Sequence, residues 1–127
     1  REHLVRATLE GIVYATKDFL ETMRRDSGVP IGSIRVDGGA SRNNFLMQFQ
    51  ADILDAEVVR PSNAEATSLG AAYMAGLAIG YWDSVAACFE GQTIDRVFRP
   101  QMPAAERERL YAEWTSAVRR SMGWAKA

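Results

Sequence analysis

The sequence predicts an α/β fold. Short β-branched runs at residues 34–36, 57–59 and 94–98 alternate with longer segments whose apolar residues recur every three or four positions. Glycine or proline punctuates the junctions, as expected where strands and helices take turns. A chain of 127 residues that is 47% hydrophobic has enough material for one core, so a single domain over 1–127 is expected.

The first segment places Leu4, Val5, Thr8, Leu9, Ile12, Ala15, Thr16, Phe19, Leu20 and Met23 on one helical stripe. It should stop within Asp26–Pro30, where glycine allows a left-handed cap and proline forbids continuation. Ile34, Arg35 and Val36 form a short strand, Asp37, Gly38 and Gly39 break it, and from about Asn43 a second helix presents Phe45, Leu46, Phe49 and Ile53. A second strand at Glu57–Val59 ends before Pro61. Ser62, with Glu65 three residues later, then has the pattern of a capping box for a third helix. That helix is rich in small residues (Gly70, Ala71, Ala72, Ala75, Gly76, Ala78), so tight packing against a neighbour is expected. Ile94–Phe98 alternates like a strand, and a last helix carries Leu110, Trp114, Ala117 and Val118 on one face. Three short strands barely make a sheet, and further chain is expected to complete it.

Composition removes several function classes. The 15 basic and 16 acidic residues are spread along the chain and leave a net charge of -1, so no field favours nucleic acid or an anionic membrane. Cys88 and His3 are the only residues of their kinds, which excludes a disulfide framework or a Cys/His zinc cluster built within one chain. A reducing, cytoplasmic setting is expected. The most apolar stretch, 64–80, is too short and too polar for membrane insertion. The chain opens at Arg1 inside a helical pattern, which reads as a cut from a longer chain.

The chemically informative segment is Val36-Asp-Gly-Gly-Ala-Ser-Arg-Asn-Asn44. Adjacent glycines between a strand and a helix remove the β-carbons that would hold a ligand away, and they bare backbone amides at the positive end of the helix. The same pair also serves a plain tight turn, and neither a Gly-x-Gly-x-x-Gly nor a P-loop pattern is present. Asp37 has two readings: a carboxylate accepting amide bonds within the turn, or a ligand for Mg²⁺ directly or through water.

Two runs carry a resemblance. Arg35-Val-Asp-Gly-Gly-Ala-Ser-Arg-Asn-Asn-Phe-Leu-Met-Gln-Phe-Gln-Ala-Asp-Ile-Leu54 and Glu65-Ala-Thr-Ser-Leu-Gly-Ala-Ala-Tyr-Met-Ala-Gly-Leu-Ala-Ile-Gly80, followed by Tyr81-Trp82, resemble the glycerol kinase branch of the FGGY carbohydrate kinases. The likeness runs from the first helix to Trp124. Asp55 departs from it, standing where the family usually has glycine, and Ser41-Arg42 fills a variable pair. The resemblance implies an actin-like ATPase fold with two ribonuclease H-like lobes, of which this chain is the end of the second, nucleotide-binding lobe. It implies that Gly38, Gly39 and Ala40 lie along the ribose and phosphate side of ATP or ADP and that Asn43 bonds the adenine, with Asn44 as its rival. The implied reaction is transfer of the γ-phosphoryl group of ATP to glycerol, with Mg²⁺ on the phosphates. The base and the glycerol clamp lie upstream in the family, so no catalytic residue and no metal ligand is assigned in this chain, and alone it is expected to be inactive. A kinase of another sugar and a stand-alone nucleotide- or partner-binding module are the alternatives. Roughly 370 further residues would complete a kinase of typical domain sizes.

The remaining polar and aromatic residues are read as structural. Gln48 and Asp52 are expected on a solvated face or at a cap, Trp82, Trp114 and Trp124 as core anchors, and Cys88 as a small buried hydrophobe. Arg107 and Glu113 are expected on a solvated charged face. In some relatives of the family a regulatory protein binds near the segment matching 98–107, and Gln101–Ala105 departs from those relatives. Apolar faces left bare by absent chain would favour a homo-oligomer.

Overall fold

The computed structural model describes residues 1–63 and 65–123. Helix α1 (Glu2–Ser27) ends at Gly28, whose left-handed φ of 69° lets its amide return to the Arg24 carbonyl. Strand β1 (Ser33–Arg35) leads into a 3₁₀ turn (Gly39–Arg42) and helix α2 (Asn44–Leu54). Strand β2 (Glu57–Pro61), helix α3 (Ala66–Ala78), a short helix α4 (Val85–Phe89), strand β3 (Ile94–Phe98) and helix α5 (Ala104–Ser121) complete the order. The sheet runs β1-β2-β3, parallel between β1 and β2 and antiparallel between β2 and β3. Pro61 lies within β2 at a bulge, where a missing amide is tolerated.

The core joins Val13 and Tyr14 of α1 to Leu46, Met47, Phe49, Ala51 and Ile53 of α2, Val58 of β2 and Phe98 of β3. Trp114 of α5 closes it, stacking on Tyr14 with ring centroids 5.4 Å apart. The stripe expected on α1 is therefore not its buried face. Val13 and Tyr14, outside that stripe, turn inward, whereas Leu4, Val5, Ile12, Phe19 and Met23 are exposed. The helix has two apolar faces, and periodicity alone does not choose between them.

Other expectations are corrected as well. Among the described residues no side chain caps α3: Ser62 is bonded to Thr93 through both backbone and hydroxyl, and Asn63 receives the Glu65 amide. The small-residue face of α3 stays open except at Gly76, which meets Trp82. Gln48 and Asp52 do not form a solvated face; Asp52 is buried and accepts the amides of Gln101 and Met102, while half-buried Gln48 bridges Asp52 and the Arg99 carbonyl. Arg107 is largely buried and grips Asp55 with two bonds of 2.9 and 3.0 Å. Asp55 itself holds the left-handed conformation at φ 54°, which aspartate tolerates better than most residues. Glu113, by contrast, is exposed and pairs with Arg109. Cys88 is buried as expected, and its thiol faces the Ser84 carbonyl. Trp124 lies outside the described residues.

Candidate functional site

Parallel pairing of β1 with β2 carries the chain out of the sheet at Val36, whose amide bonds the Val59 carbonyl. The glycine turn therefore starts at the carboxyl end of β1, the end at which open α/β sheets bind ligands. Gly38 takes φ 76°, a conformation that a side chain would strain. Ser41, 1% exposed, closes the turn by donating both its amide and its hydroxyl to the Gly38 carbonyl, at 3.2 and 2.7 Å. Gly39 differs from Gly38. Its φ is not left-handed, and a β-carbon built on it would meet nothing within 4 Å. Neither backbone nor packing among the described residues calls for glycine there, and the space beside it is open to a ligand.

The two asparagines have distinct surroundings. The Asn43 carboxamide oxygen caps α2, accepting the Leu46 amide at 3.2 Å, which leaves its NH₂ group as the part free to meet a ligand. The Asn44 oxygen accepts from Arg60 at 3.0 Å. Arg60 was not singled out by sequence; its partners lie on other elements, so no local spacing marks it.

Gly38, Gly39, Ala40 and Asn43 thus lie together on one turn, with Gly39, Ala40 and Asn43 exposed. Beside the turn, an open cavity of about 1210 Å³ takes in Asp37, Arg42, Asn44 and Arg60 and continues past Leu69 and Tyr73 of α3. The four predicted residues do not line that cavity. Asp37 does not brace the turn, since no described residue donates a hydrogen bond to its carboxylate. Among the described residues no group of three His, Cys, Asp or Glu side chains converges as a metal cage, and no helix is long and apolar enough to cross a membrane.

Residues 1–79 match the family model for the C-terminal domain of the FGGY family of carbohydrate kinases. Over 126 residues the chain is 56% identical to a glycerol kinase of Caldanaerobacter subterraneus subsp. tengcongensis, covering 99% of this chain and 25% of that one. It is 57% identical over 125 residues to a glycerol kinase of Symbiobacterium thermophilum, covering 98% of this chain and 25% of that one. The chain thus spans about a quarter of the length of the curated relatives it matches. In three dimensions it matches the crystal structure of Plasmodium falciparum glycerol kinase with ADP at a TM-score of 0.83 and 34% identity, covering 97% of this chain and 25% of that one. Gluconate kinase from Lactobacillus acidophilus matches at a TM-score of 0.75 and 25% identity, covering 94% of this chain and 25% of that one.

Proposed function

This chain belongs to the FGGY family of carbohydrate kinases, and we propose that it is the C-terminal, nucleotide-binding part of a glycerol kinase that moves the γ-phosphoryl group of ATP to glycerol. The observation that carries the nucleotide reading is the turn at the end of β1, where Gly39 has open space on its β-carbon side and no structural reason of its own to be glycine. The ADP in the Plasmodium falciparum structure supports the same reading.

Gly38, Gly39 and Ala40 would let the ribose and phosphate side of ATP approach the backbone. Asn43 would donate its NH₂ group to an acceptor on the purine. The residues fit a Mg²⁺ ion that arrives on the nucleotide, because Mg²⁺ commonly takes one or two carboxylates and lets phosphates and water complete its shell. Asp37 is the carboxylate beside the turn that would hold it, and the ion would offset phosphate charge there. Binding and orienting the nucleotide is the contribution of this chain, while the general base and the glycerol clamp would come from the preceding lobe. The whole of 1–127 is read as one portion of the second lobe, in a cytoplasmic enzyme whose exposed α1 face contacts further chain or a second copy.

Steady-state assays of the intact kinase polypeptide with glycerol, xylulose and gluconate, run beside the isolated 127-residue chain, test this reading. Glycerol should be the preferred acceptor with ATP as donor, and the isolated chain should phosphorylate none of the three. Preference for xylulose or gluconate would move the assignment to another sugar kinase. Turnover by the isolated chain, abolished by a substitution within it, would overturn the division of labour.

A further inference from the structure

Arg60 joins three separate elements. From β2, its Nη1 donates to the Ser41 carbonyl at 2.8 Å and to the Asn44 carboxamide oxygen at 3.0 Å, while Nε donates to Asp95 of β3 at 2.6 Å. The guanidinium lies over the Phe98 ring, 5.2 Å from its centroid, and the side chain is 13% exposed. Directly opposite on β3, Arg96 lies over the same ring, 4.7 Å from its centroid.

We propose that Arg60 is a positioning residue for the nucleotide turn. Ser41 and Asn44 bracket the turn's last residues, and Arg60 holds both at once from the rigid sheet. It thereby sets where Gly39, Ala40 and Asn43 stand relative to a bound nucleotide. It also fixes the orientation of the Asn44 carboxamide through its oxygen. A planar guanidinium with several fixed N–H vectors can serve acceptors on three elements, whereas a lysine ammonium on a flexible stem cannot reproduce that fork. This inference rests on the proposed nucleotide site.

The test uses the intact kinase with Arg60→Lys, which keeps the charge and most of the length. The KM for ATP should rise on the order of ten-fold, with kcat and the KM for glycerol within about two-fold of the parent. A merely structural role would lower the melting temperature and the active fraction while leaving both KM values unchanged. An unchanged KM for ATP in folded Arg60→Lys overturns the proposal. If Arg60→Lys does not fold, Asp95→Asn, at a half-exposed position, replaces it: a smaller rise in the KM for ATP supports the role, and no rise overturns it. Asn43→Asp, measured in parallel, separates the two ideas. If it raises the KM for ATP and Arg60→Lys does not, the positioning role alone is wrong; if neither does, the nucleotide reading fails with it.

Discussion

The Asp52 carboxylate accepts the backbone amide of Gln101 at 2.6 Å and, from the same oxygen, that of Met102 at 3.2 Å. One buried side chain on α2 thus fastens the connection between β3 and α5. Arg107 adds a second fastening through Asp55 and the Asp52 carbonyl.

Asp52→Ala should destabilise the fold by about 2–4 kcal/mol, because it removes a charged acceptor and strands two amides. Chemical denaturation of parent and variant checks this. Arg107→Ala should cost less, since Asp55 would remain half-exposed to water.

The indole of Trp82 rests on the backbone of Gly76, where an added β-carbon would overlap its six-membered ring. Gly76→Ala should therefore displace Trp82 and lower stability by about 1–3 kcal/mol, despite alanine's better helix propensity. Tryptophan fluorescence reports the displacement. In a Trp82→Ala background the same substitution should be nearly neutral or favourable, which a double-mutant cycle would register.

Tyr111 and Trp114 of α5 both donate to Asp18 of α1. Burial, followed by the Asp18 carboxylate, pushes the Tyr111 hydroxyl up to about 12. Its folded value lies above that of an unfolded tyrosine near 10, so this contribution to stability is complete below about pH 10 and is lost as pH rises through about 12. Asp18→Asn should bring the Tyr111 titration down, observed as tyrosinate absorbance after subtracting the Tyr111→Phe variant.

What was legible in the sequence depended on how far each interaction reached. The glycine turn and the end of α1 at Gly28 are local, and a few adjacent residues determine them. The roles of Asp52, Gln48 and Arg107 were not legible, because their partners, the local Gln48–Asp52 bond apart, lie 49 to 55 residues away and are brought close only by the sheet and α5. Arg60 is a similar case, reaching 19 residues back to Ser41 and 35 forward to Asp95. On α1, apolar periodicity identified the helix but not which of two apolar faces meets α2. Ser62 had the spacing of a cap, but Thr93 across the sheet engages it instead.

Asn43→Asp in the intact kinase tests the central claim most directly. Aspartate caps a helix as well as asparagine, so the Leu46 bond and the melting temperature should survive, while the NH₂ donor proposed to meet the nucleotide is lost. The KM for ATP should rise by the equivalent of about 1–3 kcal/mol, with kcat and the KM for glycerol little changed, and Gly39→Val should raise it further by filling the open space beside the turn. A KM for ATP equal to the parent's in both folded variants would contradict it.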